Sequence, residues 1–196
     1  DMVTNAAGSA LSAANDISVT ADDVTVGDMT STATGNITLT ASNDISMLGD
    51  VATTVTQGSM TATAGGNVTI ATGKSIDAEN DVTLTATSGG NIVLNNATIA
   101  STKGDITLSG GQIDGTGGIT ATDGDVLLNS TNDSLTSTIG ATVTATSGSI
   151  TLVSGTYAIT TATSNVGGVT VAGTSSGTIT NVNATGAGYY ITTSGN

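Results

Sequence analysis

The sequence lacks several residue types on which most functional sites depend. It contains no cysteine, histidine, arginine, proline, phenylalanine or tryptophan, and its only side-chain cations are Lys74 and Lys103. Without cysteine, neither a disulfide framework nor a thiolate metal site can form. The 15 acidic residues give a net charge of −13, which disfavours phosphate backbones and anionic membrane surfaces, because both are bound through lysine and arginine. We therefore expect no nucleic-acid partner.

Long apolar runs are also missing. No stretch approaches the roughly 18 consecutive apolar residues of a membrane-spanning helix, so we expect no membrane insertion. The first residues, Asp1-Met2-Val3, do not form the basic start of a secretory signal peptide. Cytosolic proteins rarely lack arginine, histidine, proline and phenylalanine together. We therefore expect a mature form or a fragment of a protein that is extracellular or on the cell surface.

Aromatic residues are limited to three tyrosines, 2% of the chain, whereas hydrophobic residues make up 37%. Large aromatic side chains carry much of the burial in a broad core, so a narrow, regular interior of Ile, Val, Leu and Ala is expected instead. Abundant Gly, Ser, Thr and Asn is also typical of low-complexity linkers. Disorder is nevertheless disfavoured, because the chain is only 9% charged and rich in the β-branched residues that disordered segments lack.

One short motif recurs along the chain: Gly or Asn, then Asn or Asp, then alternating apolar and polar residues. We interpret it as a turn followed by a short strand, since Gly, Asn and Asp tolerate the positive φ of tight turns. The alternation places Ile106 and Leu108 inside and Thr107 outside. The copies are Asn15-Asp16-Ile17, Gly35-Asn36-Ile37, Asn43-Asp44-Ile45, Gly66-Asn67-Val68, Asn80-Asp81-Val82, Gly90-Asn91-Ile92, Gly104-Asp105-Ile106, Gly124-Asp125-Val126 and Gly148-Ser149-Ile150.

The spacing of strand centres predicts the architecture. Strand centres recur in steps of six or seven residues at Ile92, Ile99, Ile106, Ile113, Ile119 and Val126. Each step has room for a short strand and a turn, but not for a crossover helix. Three steps make a coil of about 20 residues, which predicts an all-β, right-handed parallel β-helix (β-solenoid) with three short strands per coil and about eight coils, stacked at about 4.8 Å. A left-handed hexapeptide solenoid ranks second and a β-sandwich third, because a strict six-residue period and aromatic residues are both missing.

Stacked coils bring like residues together in ladders. We expect an internal apolar ladder of Ile37, Val68, Ile92, Ile106, Val126 and Ile150. At one corner we expect an asparagine ladder of Asn36, Asn67 and Asn91, with Asp16, Asp105 and Asp125 as further candidates, in which side-chain amides bond along the stack. Aspartates in such a column would repel unless water screens them or a cation lies between them. No cofactor is expected, although loosely bound Ca²⁺ is compatible with the acidic turns.

Candidate catalytic residues are few. The carboxylate pairs that could act in acid–base chemistry are Asp22 with Asp23 and Asp123 with Asp125. No arginine or histidine is available beside them, and solvated aspartates are ordinary in turns. We therefore expect that the chain is not an enzyme.

Outward threonine pairs suggest an ice-binding face as an alternative. Such a face needs these pairs in register on successive coils, and they occur at Thr38/Thr40, Thr83/Thr85 and Thr178/Thr180. Val93/Asn95, Leu127/Asn129 and Val153 stand at positions that we take as equivalent, so the array is expected to be broken. Since threonine has a high strand propensity in any case, we predict no ice binding.

The run from Gly104-Asp105-Ile106-Thr107-Leu108 to Gly124-Asp125-Val126-Leu127-Leu128, with Ile119-Thr120-Ala121 between, resembles the repeats of filamentous-haemagglutinin-like adhesins. These are large bacterial proteins exported by two-partner secretion or as autotransporter passengers. The likeness covers about Ile17 to Ile179 and is one of repeat style. It implies a right-handed β-helix on or outside a bacterial cell, used for attachment or as a stalk.

The two ends of the chain depart from the motif. Residues 1–14 are rich in alanine and are predicted to be a cap or docking segment, with residues 15–196 forming a single solenoid domain. Tyr189, Tyr190 and Ile191 are candidates for an end-to-end contact, because uncapped strands template further strands. The expected function is a structural subunit or segment of a bacterial surface fibre that self-associates end to end. The alternative is an adhesin module that binds a host or surface glycan.

Overall fold

The computed structural model describes residues 2–4, 8–53, 57–153, 157–173, 177–186 and 188–193. Within these residues the secondary structure is entirely β, with no helix. The strands are β1 (Met2–Thr4), β2 (Ala10–Ala13), β3 (Ile17–Ala21), β4 (Asp23–Val26), β5 (Asp28–Ser31), β6 (Ile37–Ala41), β7 (Ile45–Met47), β8 (Val51–Thr53), β9 (Met60–Ala64), β10 (Val68–Ile70), β11 (Ser75–Ala78), β12 (Val82–Ala86), β13 (Ile92–Ser101), β14 (Ile106–Ala121), β15 (Val126–Ala145), β16 (Ile150–Val153), β17 (Tyr157–Ser164), β18 (Gly168–Gly173), β19 (Gly177–Ala184) and β20 (Gly188–Thr193).

The strands form three parallel faces around one interior. Face 1 consists of β3, β6, β9, β12, the first residues of β14 and β15, and then β16, β18 and β20. Face 2 consists of β1, β4, β7, β10 and those parts of β13, β14, β15, β17 and β19 that continue the same pairing. Face 3 consists of β2, β5, β8, β11 and the last residues of β13, β14, β15, β17 and β19. The longest strands therefore run around corners from one face to the next.

Each coil pairs in parallel with the coil before it and the coil after it. On face 1 the pairing runs in direct register through Ile17, Ile37, Met60, Val82, Ile106, Val126, Ile150, Val169 and Tyr189. The series from Ile92 to Val126 visits faces 2, 3 and 1 in turn. The right-handed parallel β-helix predicted from the sequence, with three strands per coil, is confirmed.

The interior consists of stacked aliphatic files, and the predicted apolar ladder divides between two of them. Ile37, Ile106, Val126 and Ile150 lie on face 1 and are fully buried. Val68 and Ile92 are equally buried but pair with each other on face 2. The single ladder was wrong because the same turn motif begins the strands of both faces.

The motif glycines do not have the positive φ that the turn interpretation assigned to them. Positive φ occurs at Gly8, Gly73, Gly89, Gly115, Gly117 and Gly188, outside the motif copies. At Gly124, an added Cβ would overlap the carbonyl oxygen of Gly104 in the coil beneath, and Gly148 meets Gly124 in the same way. Glycine is needed at Gly124 and Gly148 because the preceding coil leaves no room for a side chain there.

The described part of residues 1–14 belongs to the stack. Strand β1 pairs with β4 on face 2, and β2 pairs with β5 on face 3. These strands therefore form the first, partial coil. A capping or docking role for this segment stays a prediction.

Candidate functional site

The corner that leads into face 1 carries a column of polar residues that bonds from coil to coil. Asp16 Oδ1 accepts the backbone N–H of Asn36 at 2.7 Å, and Asn36 Oδ1 accepts the N–H of Ser59 at 2.9 Å. The series resumes at Asp81 and spans three further steps between coils. Asp81 accepts from Asp105 at 2.9 Å, Asp105 from Asp125 at 2.8 Å and Asp125 from Ser149 at 2.6 Å. We call Asp16, Asn36, Ser59, Asp81, Asp105, Asp125 and Ser149 the first corner column.

A second corner column, which leads into face 2, contains Asp23, Asp44, Asn67, Asn91 and Gln112. Asp44 Oδ1 accepts the backbone N–H of Asn67 at 2.6 Å, and Asn67 Oδ1 accepts that of Asn91 at 2.9 Å. Asn91 Oδ1 in turn accepts the N–H of Gln112 at 3.1 Å. The predicted asparagine ladder is therefore split: Asn36 stands in the first column, and Asn67 and Asn91 stand in the second.

The donors in both columns are mainly backbone amides, not the side-chain amides expected from the sequence. One side-chain amide takes part, since Asn67 Nδ2 also donates to Asp44 Oδ1 at 3.2 Å. A corner takes a backbone N–H out of the strand ladder, and a buried or half-buried N–H needs an acceptor. Asn and Asp both offer an oxygen at the same reach, which explains why the motif accepts either residue.

The third corner, before face 3, has a short column with the same geometry. Asp28 Oδ1 accepts the N–H of Asp50 at 2.9 Å, and Asp50 Oδ1 accepts the N–H of Ser75 at 2.8 Å. Lys74 Nζ lies 3.3 Å from Asp50 Oδ2. The Ser75 amide, followed by Lys74, holds the pKa of the Asp50 carboxyl below its usual range.

This lowered pKa predicts a pH-dependent contribution from Asp50. The folded-state pKa lies below the unfolded value of about 3.9, so the stabilisation is present above that pH and is lost as the pH falls through the folded pKa. We expect Asp50→Asn to lower the free energy of unfolding at neutral pH by less than about 1 kcal/mol, because the ion pair is exposed. The difference from wild type should shrink below about pH 4.

Urea denaturation across pH 2.5–7 measures this difference. Lys74→Met is the matched control, since it removes the ion pair and keeps the Ser75 hydrogen bond, and so should leave part of the pH dependence. A wild-type advantage that stays constant down to the lowest pH would contradict the assignment.

The carboxylates do not gather into a metal cluster in the part of the chain that the structure describes. Asp81, Asp105 and Asp125 follow one another in the first corner column, and each carboxylate accepts a hydrogen bond from a backbone N–H of the next coil. Loosely bound Ca²⁺ stays a prediction.

The candidate catalytic pairs are also part of the corners. Asp23 Oδ1 accepts the N–H of Asp44 at 3.3 Å, and Asp125 belongs to the first corner column. Asp123 Oδ1 accepts the hydroxyl of Ser147 at 3.4 Å. Asp105 and Asp125 line an open depression with Ile106, Thr107, Val126, Leu127 and Thr151, and this lining includes no cationic side chain.

The outer surface of face 1 is the feature that the sequence interpretation missed. Two files of hydroxyl residues run in direct register over five successive coils, from β3 to the first residues of β14. We call this surface the Thr face. Its residues are Ser18, Thr38, Thr61, Thr83 and Thr107 in one file and Thr20, Thr40, Thr63, Thr85 and Ser109 in the other.

The expected break in this array was wrong for these five coils. Val93 lies on face 2, where it pairs with Thr69 and Asp114. Thr178 also lies on face 2, since it pairs with Ala158 of β17. The first real interruption is Leu127 with Asn129, which come after Thr107 and Ser109. The sequence did hold a signal: the face-1 strands β3, β6, β9 and β12 are five residues long and end in alanine, at Ala21, Ala41, Ala64 and Ala86.

No protein-family model, no curated protein and no solved structure matches this chain. None of the described residues forms a helix that is long and apolar enough to cross a membrane. What the molecule does must therefore be inferred from its own surfaces.

The predicted end-to-end contact lies on the last described strand. Strand β20 pairs with β18 on face 1, with Tyr189 opposite Val169, Tyr190 opposite Thr170 and Ile191 opposite Val171. The side chains of these three residues lie outside the described part of the structure, so their role stays a prediction.

Proposed function

We propose that this chain is a non-catalytic structural element of an extracellular or cell-surface bacterial fibre, extended at both ends by further coils. The observation that supports it most strongly is a file of apolar residues that runs through face 3 from end to end. The file consists of Leu11, Met29, Val51, Ile76, Ile99, Ile119, Val143, Ala162 and Val182.

Only the first and last members of this file are exposed. Leu11 is 40% exposed and Val182 is 38% exposed, whereas every member between them is at most 1% exposed. The two residues occupy the same position in coils of the same geometry, so a further coil on either end would bury them as it buries Met29 or Ala162. A contact between the Leu11 end and the Val182 end of another copy is heterologous, and such contacts generate open filaments.

The remaining features support a structural role for the chain over a catalytic role. Most of the corner carboxylates that could act as acid or base accept hydrogen bonds that hold successive coils together. The strong negative charge keeps the sides of such rods apart while the apolar ends meet. The resemblance to filamentous-haemagglutinin-like repeats supports the extracellular, bacterial setting.

Electron microscopy and sedimentation of the purified chain test the proposal. Wild type should form rods longer than one chain, with a length that rises with protein concentration. Leu11→Asp should abolish this assembly, because it places a charge in the end contact. Leu48→Asp is the matched control: Leu48 is 37% exposed but follows β7, which has a paired coil on both sides, so this variant should assemble as wild type does.

Three outcomes would overturn the proposal. The first is a wild-type chain that stays dispersed as monomers at high concentration, and the second is a Leu11→Asp variant that assembles normally. The third is micromolar binding on a glycan array, which would favour the adhesin alternative.

A further inference from the structure

The Thr face differs from the other two faces of the same rod. Over the five coils from β3 to β14, every outward position of face 1 is Thr or Ser. The outward file of face 2 over the matching coils reads Thr25, Ser46, Thr69, Val93 and Asp114. That of face 3 reads Thr30, Ala52, Asp77, Ala100 and Thr120.

This contrast shows that general strand propensity alone does not explain the composition of the Thr face. Propensity favours threonine on any half-buried strand, so it acts equally on the three faces of one coil. Faces 2 and 3 accept alanine, valine and aspartate at their outward positions, whereas the Thr face accepts none of them. A requirement specific to face 1 is therefore needed to explain its composition.

The hydroxyl groups of the Thr face are available to water. All ten residues are exposed or half-exposed. Within the described residues, the only protein hydrogen bond recorded for these hydroxyls is that from Asn129 Nδ2 to Ser109 Oγ, at 3.3 Å. The remaining nine present a methyl or methylene group beside an uncommitted hydroxyl.

The spacing of the array is two-dimensional and regular. Neighbours within a file are one coil apart, about 4.8 Å, and the two files are two residues apart along the strand, about 6.6 Å. The registers between β3, β6, β9, β12 and β14 show no shift across these residues. The hydroxyls therefore form a lattice patch about 19 Å long along the stack.

A lattice of this kind fits a partner that is itself periodic. A discrete ligand is bound by polar groups that converge on one spot, in a concave site, and the Thr face has repeated, parallel groups instead. Hexagonal ice repeats along its a axis at a distance close to the spacing within a file, and its repeat along the c axis is somewhat longer than the spacing between the two files. The ten residues of the face are uncharged, and the carboxylates of Asp16, Asp81 and Asp105 lie at its border in the first corner column, where each accepts a backbone N–H.

We infer that the Thr face binds the surface of ice crystals. Water held at the files by the hydroxyl and methyl groups matches the oxygen positions of the crystal over five coils, and the sum of these weak contacts holds the rod on the ice. The array ends at Leu127 and Asn129, where an apolar side chain and an amide replace the hydroxyls.

Ice-recrystallisation inhibition and partition of the purified chain into slowly grown ice test this inference. Wild type should inhibit recrystallisation and enter the ice. Thr61→Lys, in the centre of the array, should raise the concentration required for inhibition at least tenfold. Thr30→Lys, at an outward position of face 3, is the matched control and should leave it unchanged. Circular dichroism verifies that both variants stay folded.

A gain-of-function variant extends the test. Leu127→Thr combined with Asn129→Thr continues both files into a sixth coil and joins the first file to Thr151, whereas the second file ends at Val153, so it should lower the concentration required for inhibition. An inactive wild type, equal losses in Thr61→Lys and Thr30→Lys, or partition onto crystalline cellulose in place of ice would each overturn the inference. None of these outcomes affects the end-to-end assembly, which is measured separately in the absence of ice.

Discussion

Replacing Gly124 by alanine is expected to destabilise the folded chain by about 2–3 kcal/mol, the upper part of the range for an overpacked site. The new Cβ would overlap the carbonyl oxygen of Gly104 and approach the carboxylate of Asp105 in the coil beneath. The backbone at Gly124 cannot shift away from Gly104, because Gly148 of the next coil packs against Gly124 in the same way. The usual effect of Gly→Ala at an unstrained position is a stabilisation of about 0.4–1 kcal/mol, so the expected sign is reversed here.

Urea denaturation followed by circular dichroism measures the effect. Gly118→Ala is the matched control, since among the described residues the only atom near its added Cβ is Thr98 Cγ2 at 3.8 Å, an ordinary contact. This control should be neutral or slightly stabilising. Equal midpoints for Gly124→Ala and Gly118→Ala would show that the corner has room for a side chain.

The architecture could be predicted from the sequence because it depends on a simple periodicity. Buried aliphatic residues at steps of six or seven, as from Ile92 to Val126, leave space for a strand and a turn and for nothing larger. Three such steps return the chain to the same face, and the register confirms this with Ile106 opposite Val126. The spacing of apolar residues alone therefore predicts the coil, without knowledge of contacts between residues distant in the sequence.

The assignment of motifs to faces could not be predicted from the motif itself. Gly35-Asn36-Ile37 and Gly66-Asn67-Val68 read alike, yet the first leads into face 1 and the second into face 2. Both corners pose the same problem, a backbone N–H that needs an acceptor on the preceding coil, and both solve it with Asn or Asp. The difference lies in the length of the strand that the motif begins, which is five residues on face 1 and three residues on face 2.

That ambiguity concealed the Thr face. Comparing Thr38/Thr40 with Val93/Asn95 mixed residues of two faces and made a continuous array look interrupted. The reason for the motif glycines was concealed in a similar way. Local turn chemistry suggests positive φ, whereas the contact that excludes a side chain at Gly124 comes from a residue 20 positions earlier in the chain, Gly104.

Truncating Ile106 to alanine is expected to lower the free energy of unfolding by about 2–5 kcal/mol, as for other fully buried aliphatic side chains. Ile106 is 0% exposed and stacks between Val82 and Val126 in the face-1 file. The interior is a single narrow column of aliphatic side chains, and backbone pairing fixes the distance between coils. Neighbouring coils therefore cannot collapse into the cavity, which places the cost in the upper part of that range.

A second measurement is where along the rod the amides lose their protection from hydrogen exchange in Ile106→Ala. In a stacked coil each unit contacts only its neighbours, so hydrogen exchange should accelerate for the amides of β12, β14 and β15 and much less for those of β3 and β6. Thr107→Val is the matched control, because it alters the adjacent outward residue while keeping a β-branched side chain, and it should change stability by less than about 0.5 kcal/mol. Uniform loss of protection along the whole chain would instead mean that the rod unfolds as one cooperative unit, and end-to-end assembly would then have to stabilise every coil at once.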